Sequence, residues 1–166
     1  VLLWHVLEHL ADPVGTLDEI RRILRPGGHL VVAVPNFGSL QARWAGPAWF
    51  HLDPPRHLYH FTPAALRRML AGCGFDIRST HHFSLRQNPF GWVQSALNRS
   101  PHLPRNGLYV LLHRSPQAEQ AYDAATRRRL RWAYWLGMPI GLALSIGAAL
   151  VRSGATMHVV AERNED

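Results

Sequence analysis

Apolar runs cut by turn residues organise the first half of the chain. Val1–Trp4 is an apolar run that reads as a buried strand and stops at a polar cluster, His5, Glu8 and His9. Asp12 then offers an N-cap with Pro13 at the first helical position. Val14, Leu17, Ile20, Ile23 and Leu24 recur at helical spacing and give one apolar face. Asp18 and Glu19 lie early and Arg21, Arg22 and Arg25 late, which complements the helix dipole, and Pro26-Gly27-Gly28 ends the helix. Leu30–Val34, rich in β-branched residues and uncharged, predicts a central strand buried on both faces. Pro35 cannot extend a ladder and stops it. Strand, crossover helix, strand is the pattern of a βαβ unit in a parallel sheet. Ligands bind such sheets beyond the carboxyl ends of the strands, which here carry His5–His9 and Pro35–Asn36.

The pattern then loosens. Residues 37–60 hold glycine, proline, aromatic residues and histidines with no sustained period, and a loop of that length is usually functional or flexible. Order resumes at Phe61-Thr62-Pro63: Thr62 caps a helix, Pro63 takes its first position, and Phe61 can staple onto Leu66. Leu66, Met69, Leu70 and Cys73 form its buried stripe. Phe75, Ile77, Ser79, His81 and Phe83 alternate with other residues, as in a strand open to water on one face.

Residues 85–153 read as a helical insertion. Asn88–Arg99 can form a short helix, and Ala118–Leu130 looks helical, with Arg127, Arg128, Arg129 and Arg131 at its end. The next twenty residues, 132–151, carry no charge, and Arg152 closes them. Twenty apolar residues just span a bilayer at about 1.5 Å per residue. Pro139 should break or kink a helix, and the glycines weaken a spanning reading. Arginines and two tryptophans at the entrance suit a membrane interface. The readings that stay open are a hairpin or amphipathic element touching a membrane, a buried or partner-facing helix pair, and a span. Thr156–Glu162 is the last strand, within a final segment 154–166.

Composition narrows the class. Hydrophobic residues make up 47% and charged residues 17% of 166 residues, which fits one globular domain. The net charge of +7 comes with arginine as its only basic side chain besides histidine, since the chain has no lysine, and it suits an anionic partner, either a membrane surface or nucleic acid. The Arg127–Arg131 run lacks the aromatic interleaving of a single-strand nucleic-acid platform, so no nucleic-acid partner is expected. One cysteine, Cys73, excludes an internal disulfide framework and fits a reducing, cytoplasmic compartment.

Taken together, HVLEHL-ADP at 5–13, LRPGG at 24–28, VVAVPN at 31–36 and PRHLYHFTP at 55–63 resemble the second half of class I S-adenosylmethionine-dependent methyltransferases, in particular the ubiquinone-biosynthesis-like group. The resemblance covers residues 1–84 and the final strand. It implies the C-terminal half of a Rossmann-like α/β sheet, in which the last strand runs antiparallel between the strands at 30–34 and 75–83. The chain is then expected to be the C-terminal portion of a longer enzyme. The Gly-rich cofactor turn would lie upstream, since no G-x-G-x-x-G occurs here, and these residues alone would be inactive. Residues 37–60 become a lid whose Trp44, Trp49, Phe50 and Tyr59 either face an acceptor or pack the lid onto the sheet.

The resemblance implies S-adenosyl-L-methionine as cofactor, held along Trp4, His5, Val6 and Leu7. His5, Glu8 and His9 are the catalytic candidates, with His5 as base or acceptor-orienting group and Glu8 as an alternative orienter of His9. Ubiquinone-type relatives carry Glu-x-x-Glu-His here and can hold a divalent metal; His5 replaces the first Glu, and no metal is assigned. Asn36, Trp49, Arg56, His57 and His60 are the substrate-side candidates, with Arg56 able to pair with Asp53 or an anionic acceptor. His57 and His60 show H-x-x-H spacing, a weak zinc signal by itself, and can instead cap the next helix. The function expected is methyl transfer to a small or lipid-like acceptor, on oxygen or carbon. The competing readings are a non-catalytic membrane-associated or partner-binding module, and a nucleotide-sugar or NAD-dependent α/β enzyme.

Overall fold

The computed structural model describes residues 1–113 and 122–165. Four strands form one sheet in the order β1 (Leu2–Trp4), β2 (His29–Pro35), β4 (Thr156–Arg163), β3 (Phe75–His81). β1 and β2 are parallel, with Leu3 opposite Val32, whereas β4 runs antiparallel to both β2 and β3. The antiparallel last strand therefore lies where the family resemblance implies it. β1 is the sheet edge, and Leu2 and Trp4 are 60% and 50% exposed, so the reading of that run as a buried strand does not hold.

Helix α1 (Pro13–Ile23) starts as its sequence dictates, with the Asp12 carboxylate accepting from the Gly15 amide at 2.9 Å. Thr62 caps α3 (Pro63–Gly72) in the same way, accepting from the Ala65 amide at 3.2 Å. Both helices cover one face of the sheet. Leu17 and Ile20 from α1, Leu66 and Leu70 from α3, and Leu30, Val32, Val34, Met157 and Val159 from the strands make the main core. β3 ends at His81, short of Phe83, and a register shift between Ile77 and Ser79 leaves Arg78 as the extra residue.

Residues 37–60 are not the irregular loop that their lack of period predicts. They contain α2 (Leu40–Ala45), capped by Ser39, and two single 3-10 turns, Gly46–Ala48 and Phe50–Leu52. A short helix cannot show a period, and this one is held by burial of Ala42 and Ala45 around Trp49. Between β3 and β4 lie α4 (Asn88–Asn98), α5 (Gly107–Leu112) and α6 (Ala124–Leu150), with a second small core of Val93, Leu108, Leu111 and Leu130. The first residues of the predicted helix 118–130 lie outside the described residues. α6 runs unbroken through Pro139, so the hairpin does not form. Pro139 sits on the exposed side of the helix, where the carbonyl left without its intrahelical donor need not be buried.

The face of α6 that meets α4 is built from small residues. A Cβ on Gly141 would stand 2.6 Å from the Pro89 carbonyl oxygen, and one on Gly137 2.9 Å from Val93 Cγ2. Gly141→Ala is therefore expected to lower stability by about 1–3 kcal/mol through overpacking against backbone. Gly147→Ala, which meets nothing within 4 Å, should be neutral or slightly stabilising. Chemical unfolding of the two variants beside the parent checks the contrast.

Candidate active site

The carboxyl end of β1 turns sharply. His5 takes a left-handed backbone, φ 51°, while its amide still donates to the Ala33 carbonyl at 2.9 Å. A non-glycine residue held there stores local strain of a kind that concentrates at functional sites. The turn lets the 3-10 turn Leu7–His9 begin at once. Leu7 points into the main core and Glu8 is fully buried.

Glu8 and His5 form a pair. His5 Nδ1 lies 3.1 Å from Glu8 Oε1, and the imidazole is mostly buried. A carboxylate can only accept, so Nδ1 carries the hydrogen and Nε2 is left as a lone-pair nitrogen. His5 Nε2 and Glu8 Oε2 are both buried without a hydrogen-bond partner in the protein. Glu8 thus orients His5 and not His9, correcting the alternative read from the sequence. His9 instead uses its Nδ1 at 2.8 Å from the Arg56 carbonyl.

The segment 56–60 is laced onto this turn. The amides of Leu58 and Tyr59 donate to the Glu8 carbonyl at 2.8 and 3.2 Å. His57 donates from Nδ1 to the His51 carbonyl at 2.7 Å, and His60 from Nε2 to the Leu52 carbonyl at 3.0 Å. Neither caps α3, which Thr62 serves. Arg56 pairs with Asp53, as its spacing allowed. His5, Glu8, His9, Arg56, His57 and His60 are therefore brought to one wall.

Two of the substrate-side candidates are not on it. Trp49 is 1% exposed, donates its indole hydrogen to Gln41 Oε1 at 3.0 Å, and forms the centre of the lid's own core instead of lining an open acceptor pocket. Asn36 is buried with both ends of its amide used, donating to the Gly154 carbonyl at 3.0 Å and accepting from the Gly38 amide at 3.0 Å. Its role is to tie the end of β2 to the start of β4. Trp4 and Val6 remain partly open, so of the cofactor-side candidates they and His5 can meet a ligand through side chains, and Leu7 only through backbone.

Sequence reasoning missed two histidines. His51 is buried, and burial, followed by its neighbours His5 and His57, pushes its pKa down to about 3. His158 on β4 stands opposite Ala33, packs on the Trp4 ring at 4.8 Å, and is likewise held neutral by burial and then by His5. The strand parity that places His158 beside Ala33 was the one available signal. Glu8, His9 and His57 also each offer a ligating atom within 4.8 Å of the others. Both histidines anchor Nδ1 on a carbonyl, which leaves two imidazole lone pairs and a carboxylate, a donor set that fits a divalent cation.

A parallel sheet with one inserted antiparallel strand, and a polar turn at the carboxyl end of its edge strand, agree with the α/β arrangement that the methyltransferase resemblance implies. Residues 1–80 match the family model described as a methyltransferase domain. An uncharacterized 37.1 kDa protein in a transposon of Streptomyces fradiae is 57% identical over 35 residues, 21% of this chain and 10% of that protein. Among solved structures, the chain is similar to the cyclase SpnF (16% identity, TM-score 0.49, covering 99% of this chain and 49% of that one). It is also similar to a putative methyltransferase of Haloferax volcanii solved with the activator Trm112 (17%, TM-score 0.49, 100% and 54%). A third is a putative sarcosine dimethylglycine methyltransferase from Galdieria sulphuraria (16%, TM-score 0.47, 99% and 53%). The chain thus spans about half the length of these structures.

Neutral, buried His51 has a consequence for stability. Its folded pKa of about 3 lies below the ordinary histidine value of 6.5, so between those values the unfolded chain binds more protons. Stability is then full above about pH 6.5 and falls as the pH drops, by about 1.4 kcal/mol per pH unit from this residue alone. His57, His82 and His158, also lowered by burial, act in the same direction. Urea unfolding between pH 7 and pH 5 should show this loss, and His51→Gln should flatten the slope by up to one proton.

Proposed function

We propose that the chain is the C-terminal part of an S-adenosylmethionine-dependent methyltransferase that acts on a small or lipid-like acceptor, at oxygen or carbon, in the cytoplasm. The observation that carries this reading is the His5–Glu8 pair at the end of β1, with a buried and unpartnered Nε2. The cofactor, when bound, supplies a methyl group already activated on a sulfonium. Trp4, His5 and Val6, with the Leu7 backbone, are the residues here that would hold it.

The protein's own work is positioning and proton transfer. His5 Nε2 takes the proton of an acceptor hydroxyl as the acceptor oxygen is methylated, and Glu8, hydrogen-bonded at Nδ1, stabilises the imidazolium that results. The same neutral tautomer is kept ready by that hydrogen bond. General-base help of this kind is worth about 10²–10⁴-fold. Arg56, His57 and His60 stand on the acceptor side of the wall. In this reading, much of the cofactor cradle is contributed by chain outside these residues, and the 166 residues alone bind the cofactor weakly.

Calorimetric titration of S-adenosylmethionine into the chain, and into the chain with the coding sequence that precedes Val1, tests the assignment. Tight binding by the extended protein is expected. Binding by neither would overturn the reading. In the active protein, His5→Ala should lower kcat by about 10²–10⁴-fold for a hydroxyl acceptor. Glu8→Gln should lower kcat less than His5→Ala, because the side chain that orients Nδ1 keeps an acceptor oxygen but loses its charge.

A further inference from the structure

Helix α6 has two faces of different character. The inner one is small and packed: Gly137 and Gly141 lie against Val93 and Pro89, and Ser145 and Ala148 are buried. The outer one is large and bare. Trp132, Trp135, Leu136, Ile140 and Leu150 are between 60% and 80% exposed, and no charge interrupts residues 132–151. Beside it, an apolar groove of about 840 Å³ opens between α2, α4 and α6, lined by Leu40, Trp44, Trp92, Val93, Ile140 and Leu144. Basic groups close both ends of the strip: Arg128, Arg129 and Arg131 stand exposed at one end and Arg152 at the other.

We infer that this face of α6 docks on an anionic bilayer leaflet, lying in the plane of the interface. Length alone would allow a span, since 27 residues reach about 40 Å. The packing forbids one. α6 is covered along its inner face by α4, whose Gln94, Ser95 and Asn98 carry polar groups. Its first turns are fixed through Leu130 in the second core, and just past its end Ser153 accepts from the Leu40 amide at 3.0 Å. Only one side can enter lipid, as in an interfacial helix with a buried apolar face and flanking arginines. The tryptophans stand next to the arginines, at the level where headgroups meet acyl chains.

The charge pattern selects a membrane over a second copy of the chain. Pairing two such strips in parallel sets Arg128, Arg129 and Arg131 against themselves. Pairing them antiparallel sets them against Arg152. Anionic headgroups neutralise both ends at once, and an acyl chain fills the groove. This inference does not depend on methyl transfer.

Flotation of the purified chain with phosphatidylcholine vesicles, with and without phosphatidylglycerol, is the test, read together with tryptophan emission. Binding is expected with the anionic vesicles, with a blue shift, and should weaken with salt. Replacing Arg128, Arg129 and Arg131 by glutamine should weaken it about a hundredfold, at roughly fivefold per arginine. Ile140→Asp should abolish it while circular dichroism and unfolding stay those of the parent. No flotation by the folded chain, equal flotation with neutral vesicles, or a dimer in sedimentation that Ile140→Asp dissolves would each overturn the inference. Flotation needs no cofactor, so its outcome is separate from that of the calorimetric titration.

Discussion

The fold depends on β4 being threaded between β2 and β3. Those two strands do not touch, and each is hydrogen-bonded through β4 from His29–Pro35 on one side and Phe75–His81 on the other. Without β4 the second half of the sheet would have two open edges and the main core would lose Met157, Val159 and Ala161. The chain that leaves β3 must therefore come back, and it does so through a fixed clamp. The Asn36 amide donates to the Ala155 carbonyl at 2.8 Å and its side chain to the Gly154 carbonyl at 3.0 Å. Gly154 is required there because a Cβ would lie 1.7 Å from the His82 carbonyl oxygen. Everything between β3 and β4, α6 included, is held at both ends by this return.

The same economy governs the polar turn after β1. A fully buried carboxylate is tolerated only when its oxygens are matched, and Glu8 has one matched by His5 and one open. The backbone of the same residue holds Leu58 and Tyr59. Glu8 thus joins residues 5–9 and 56–60 into one wall, through its side chain to His5 and its backbone carbonyl to Leu58 and Tyr59.

Much of this was legible because the residues involved act locally. Asp12-Pro13 and Thr62-Pro63 announce their helices through capping, and Leu30–Val34 announces a buried strand through composition. The position and direction of β4, by contrast, came from family resemblance, since strand direction leaves no mark on a sequence. What failed did so where tertiary contacts decide. Nothing in GPAWFHL tells an aromatic ring that faces an acceptor from one that fills a core, and Trp49 is the latter because Gln41 meets its indole hydrogen from eight residues away. Asn36 stands beyond a strand end, as ligand-binding residues do, yet its amide is consumed by Gly154 and Gly38. Pro139 was read as a break by a rule about helix interiors, but the rule is weakest on an exposed side.

The lid and the outer face of α6 are mechanically one body. The Phe50 amide donates to Ser95 Oγ at 2.9 Å, Asn98 Nδ2 to the Ala48 carbonyl at 3.2 Å, and Arg99 to the Trp44 carbonyl at 3.0 Å, so residues 44–50 ride on α4. α4 in turn rides on α6 through contacts too close to admit a methyl group at Gly141. Leu40 and Trp44 belong both to the lid and to the groove beside α6. A surface that holds α6 therefore also sets the position of the lid over the His5–Glu8 pair.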